Sequence, residues 1–142
     1  MSLKPSGLIK PTEQTKFHID YDWWEHNSED LRTYLLSHLS PEKREQLSKA
    51  EEGSMVDYIN PDTGEVLQLD ELGLAIQTAS REPEFISPHT SLVDSIFRVF
   101  LANGNVPMSP IELAEATGRP ATTILKTLSG LRVYKGIRPY EP

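Results

Sequence analysis

Three short helical segments crowd the last third of this 142-residue chain, and their spacing limits the fold more than any other feature. Ser91 to Asn103 carries Leu92, Val93, Ile96, Phe97, Val99, Phe100 and Leu101, dense enough in apolar positions to predict a mostly buried helix stopped at Asn103-Gly104. Ser109-Pro110-Ile111-Glu112 has the form of a capping box, with serine at the cap, proline at the first helical position and glutamate at the third. It opens a short helix to Thr117, which Gly118 ends. After Arg119, Pro120 starts a third helix in which Ile124, Leu125, Leu128 and Leu131 are expected to face inward and Thr122, Thr123, Lys126 and Thr127 outward. Val133 to Ile137 reads as an extended piece with a turn near Gly136.

A helix, a short helix, a tight glycine turn, a third helix with a polar outer face and a basic extended tail follow the order of a winged helix-turn-helix domain. Residues 91–142 resemble that superfamily. The resemblance implies that the third helix enters the major groove of DNA, with Thr122, Thr123 and Lys126 near bases and Arg119, Arg132, Lys135 and Arg138 near phosphates. Between the third helix and Pro142 there is room for little more than half a wing, so either the wing is reduced or the tail packs elsewhere. Winged-helix scaffolds also serve as protein-interaction modules, which leaves an adaptor without nucleic acid as the alternative.

The charge distribution bears on that choice. The formal net charge of −7 opposes binding to phosphates, but residues 1–87 hold 8 Lys/Arg against 17 Asp/Glu, whereas residues 88–142 hold 6 against 4. From Gly118 onward, Arg119, Lys126, Arg132, Lys135 and Arg138 face only Glu141. Such asymmetry is the signature expected of a nucleic-acid contact at one end of a chain. It also suggests that the acidic part, through Asp20 and Asp22, masks the third helix.

Ahead of the helical third, residues 1–16 are expected to form a flexible arm, residues 17–82 an acidic α+β domain and residues 83–90 a linker. From Phe17 the pattern alternates, with Phe17, Ile19, Tyr21 and Trp23 on one face and His18, Asp20, Asp22 and Trp24 on the other, which predicts a half-buried strand with Trp24 exposed as an interaction surface. Asn27 to Asp30 starts a helix carrying Leu31, Tyr34, Leu35 and Leu39, and Ser40-Pro41 starts a second that runs to Ala50. Met55–Ile59 and Val66–Leu69 flank the turn-forming Asn60-Pro61-Asp62-Thr63-Gly64-Glu65 and predict a hairpin. Asp70 caps a further helix bearing Leu72, Ala75, Ile76 and Ala79. The expected fold class is therefore α+β, a small helix-covered three-stranded antiparallel sheet followed by a winged-helix-like three-helix domain.

Several chemistries are excluded at this level. The chain has no cysteine, which removes disulfides, thiolate catalysis and cysteine-based metal sites. No apolar run reaches membrane-span length, the first residues lack a signal-peptide pattern, and the cytoplasm is the default location. His18, Asp20 and Asp22 share one face of the predicted strand, yet they supply too few ligands for a hard cation and lack the further histidine zinc would want. No phosphate loop or catalytic triad pattern occurs, so neither an enzyme nor a cofactor is expected. The reading is a DNA-binding transcriptional regulator, its partners being DNA and, alternatively, a second copy or another protein.

Overall fold

The computed structural model describes residues 10–48, 55–59 and 64–141. It is a mixed α and β structure in two compact units, one formed by the chain up to Ser28 together with Ile86 onward, the other by Glu29–Phe85.

The first unit is discontinuous in sequence. Strand β1 (Phe17–Ile19) pairs antiparallel with β4 (Ile137–Pro139) in the register Phe17 with Pro139, His18 with Arg138 and Ile19 with Ile137. On its other edge, Phe17 exchanges two backbone hydrogen bonds with Met108, of 2.8 and 2.9 Å. Two residues further along, the Asn105 side chain takes over: Ile19 N–H donates to Asn105 Oδ1 at 2.8 Å and Asn105 Nδ2 donates to Ile19 O at 2.9 Å. The backbone of β1 is thus served on both sides, as a strand with Phe17 and Ile19 buried requires.

The predicted three-stranded sheet over residues 17–80 is corrected by this pairing. Among the described residues there are two separate two-stranded sheets, and β1 pairs with β4 instead of the hairpin. The predicted strand is also cut short, because the Asp20 side chain accepts from Asp22 N–H and starts helix α1 (Tyr21–Glu25). Helical spacing then reverses the expected exposure of the two tryptophans: Trp24 is 5 % exposed, edge-on to Phe97, whereas Trp23 is only half-buried.

Three longer helices complete the unit. Ser91 caps α5 (Leu92–Ala102), whose Ile96, Phe97, Val99, Phe100 and Leu101 are buried. The capping box opens α6 (Pro110–Thr117): Ser109 Oγ accepts from Glu112 N–H and Glu112 Oε1 accepts from Ser109 N–H. After Gly118 and Pro120 comes α7 (Ala121–Leu128). Helix α5 packs on β1 and α6, and α6 on α7. Gly136 closes the unit at a φ of 76°, with its carbonyl accepting from Asp20 N–H, and a Cβ there would stand 2.9 Å from Trp24 Nε1, so only glycine fits.

The second unit is built from local signals. Asp30 caps α2 (Leu31–Leu36), α3 spans Pro41–Ser48, and Asp70 caps α4 (Glu71–Ala79) by accepting from Gly73 N–H at 2.7 Å. Between α3 and α4 the strands β2 (Met55–Ile59) and β3 (Val66–Asp70) pair antiparallel, Met55 opposite Asp70 and Ile59 opposite Val66. Residues 60–63 of the predicted Asn60–Glu65 turn and the end of the second helix at Ala50 lie outside the described residues. Helix α4 packs on both strands and on α2 and α3, burying Leu72, Ala75 and Ile76. A single 3-10 turn at Pro83–Phe85 ends the unit.

Two outcomes follow from the first unit. Phe17 is fully buried, so Phe17→Ala should lower unfolding free energy by about 3–5 kcal/mol. Urea unfolding followed by helical circular dichroism measures this, and α5 to α7 should melt with the strand. The second outcome concerns acid. The Lys16 ammonium, first, and the Ser109 N–H hold the Glu112 carboxyl below the usual carboxylate range. A depressed folded value gives stability that is complete above the ordinary range and is lost as pH falls through the lowered one. Glu112→Gln keeps an acceptor for Ser109 but removes the charge, and its unfolding curve should lack that acid-limb loss.

Candidate nucleic-acid interface

The site is built on the α6–α7 pair. Helix α6 ends because Gly118 adopts the left-handed conformation at φ 72°, its N–H returning to Ala114 O at 2.9 Å. The chain turns through Arg119, whose N–H donates to Thr117 Oγ1, and Pro120 then sets the start of α7. Proline has no side-chain acceptor, so the first turn of α7 is made without a side-chain cap.

On α7 the 3.6-residue period separates two faces. Ile124 and Leu128 are buried, while Thr122, Thr123 and Lys126 are exposed. Thr127 is half-buried, its hydroxyl donating back to Thr123 O at 2.9 Å. Two hydroxyls and an ammonium therefore share the outer face, the hydroxyls in the first turn, where the backbone dipole is positive, and the Lys126 ammonium in the last turn. From Glu115 to Glu141 the chain has no carboxylate side chain, while Arg119, Lys126, Arg132, Lys135 and Arg138 lie in that span.

The remaining sequence-predicted residues are distributed differently. Arg119 is half-buried, and its guanidinium donates to the carbonyls of Thr90 and Pro88, tying the start of α7 to the segment before α5. Arg132 is exposed, with its guanidinium carbon 4.9 Å over the Tyr134 ring. Lys135 is half-buried at a φ of 54°, next to Gly136 in the turn that leads into β4. Arg138 sits on β4, 3.3 Å from Asp20 Oδ2 in a partly exposed ion pair. The acidic residue proposed to mask α7 thus engages a cation on β4. Trp24, expected as an exposed interaction surface, is buried instead, because α1 turns its ring inward.

For one residue of this surface, helical periodicity and structure disagree. Leu131 lies three positions beyond Leu128 and extends the apolar stripe on paper, but α7 ends at Leu128 with Ser129 as its C-cap, and Leu131 is 106 % exposed. The Ser129-Gly130 pair was the available stop signal. Compared with protein-family models, with curated proteins and with solved structures, the chain has no match.

Proposed function

We propose that the discontinuous unit is a winged helix-turn-helix module that binds duplex DNA, and that the protein is a non-catalytic transcriptional regulator. In this reading α6, Gly118 and α7 form the helix-turn-helix, α7 enters the major groove, and residues 129–136 with β4 act as a shortened wing. One observation carries the reading: the outer face of α7 presents Thr122, Thr123 and Lys126 within a stretch of five cations and no carboxylate. Hydroxyls and ammonium groups suit base edges and phosphates, and cations supply the salt-dependent part of affinity. Thr122, Thr123 and Lys126 face the groove and Arg132, Lys135 and Arg138 the backbone. Arg119 is given a structural part, since two carbonyls already hold its guanidinium.

The second reading is a protein-interaction module, as a homodimer or with another protein. It is favoured by the β2–β3 hairpin, which leaves Met55, Ile59 and Val66 56 to 64 % exposed.

Anisotropy of a labelled random-sequence duplex at two salt concentrations separates the two. Wild type should bind with an affinity that falls steeply with salt, and Lys126→Ala/Arg132→Ala should weaken binding and lower the salt slope by about 2. No binding at low salt would move the weight to the protein-interaction reading. The ion pair on β4 gives a further outcome. Asn caps helices as well as Asp does, so Asp20→Asn should keep α1 while releasing Arg138. Low-salt affinity should rise by up to about fivefold, the worth of a surface ion pair. An unchanged affinity would remove Arg138 from the interface.

A further inference from the structure

Leu131 is the most exposed of the large apolar side chains among the described residues, at 106 %. A lone exposed leucine on a neutral surface calls for no explanation. The setting of this one differs. It stands between Gly130 and Arg132 in the loop after α7, in a span of sequence that holds five cations and contributes no carboxylate side chain. The Arg132 guanidinium is steadied over the Tyr134 ring, so the cation beside Leu131 has a preferred position.

A partner suited to this tip must be anionic where it meets Arg132 and apolar where it meets Leu131. Duplex DNA has that arrangement, with phosphates lining a groove and stacked bases at its floor, and leucine is among the side chains that wedge between base steps. The minor groove adds a negative potential that attracts the cationic loop carrying the wedge. We propose that Leu131 is an apolar wedge that enters the minor groove and partly unstacks one base step, with Arg132 on the phosphates at the edge of the groove next to it. The proposal rests on the DNA-binding reading above and deepens it, because it makes the protein a bender of its site. It also gives a preference that no base-edge hydrogen bond supplies. Pyrimidine–purine steps unstack most easily and should be favoured where Leu131 enters.

The energetic scale supports a measurable effect. Burial of the leucine side chain offsets the cost of unstacking one step, and the bend brings further protein surface onto the duplex. Loss of the wedge and of that extra contact is expected to weaken binding by up to about tenfold.

The test uses the full chain and a duplex with centrally placed TA steps, 2-aminopurine at one of them and a donor and acceptor dye at the ends. Wild type should raise 2-aminopurine fluorescence and bring the ends closer. Leu131→Ala should bind about tenfold more weakly and lose both signals, while keeping the wild-type salt slope because no phosphate contact is removed. Leu131→Phe should retain the signals. The position is fully exposed, so thermal unfolding of both variants should match wild type. If Leu131→Ala keeps wild-type signals while Lys126→Ala/Arg132→Ala loses binding, the wedge is rejected and the DNA-binding reading stands. Weaker binding by Leu131→Ala with the bend intact also rejects the wedge. No binding by wild type at low salt removes both, and a partner that is an acidic protein becomes the subject instead.

Discussion

The discontinuous unit depends on one short stretch of backbone pairing. Strand β1 has only three residues, yet its edges meet Met108, Asn105 and β4, and its Phe17 and Ile19 side chains are buried. Buried N–H and C=O groups left without partners would cost several kcal/mol, so the loop from Asn103 to Ser109 and strand β4 need β1 between them. Helix α5 packs against this strand, α6 against α7, and the turn at Gly136 is fitted to the indole of Trp24. The position of the α6–α7 pair therefore rests on a segment that precedes it by more than ninety residues.

How much of this was legible in the sequence depended on the range of the interaction. Helix starts were readable because a cap and its target amide are three residues apart: Ser91, Ser109 with Glu112, Asp30 and Asp70 all act as their chemistry predicts. The hairpin strands were readable for the same reason. The pairing of β1 with β4 was not, since alternation over Phe17 to Trp24 indicates a strand without naming its partner. Asp20 fitted two descriptions, a polar strand residue and a helix cap, and the cap prevailed. That one outcome buried Trp24.

The candidate surface divides in the same way. Thr122, Thr123 and Lys126 follow from the helical period, which is local. Arg119 and Arg138 have partners in the carbonyls of Pro88 and Thr90 and in the Asp20 carboxylate, none of which leaves a mark near the arginines in sequence. Leu131 was placed inward because the apolar period outlasts the helix that gives it meaning.

The interruption of the discontinuous unit by Glu29–Phe85 has a consequence for synthesis. Asp20 and Arg138 meet across 118 positions of sequence, a high contact order for so small a body. As the chain emerges from the ribosome, residues 29–85 are contiguous and can collapse as soon as they are out. Phe17 and Ile19 emerge earlier and stay without their partners until Asn105 and Met108, and then β4, arrive. During that interval they form a bare, β-prone edge ahead of a folded neighbour. The vulnerable species in production of this protein is thus a nascent chain whose inserted unit has folded and whose first strand is still waiting.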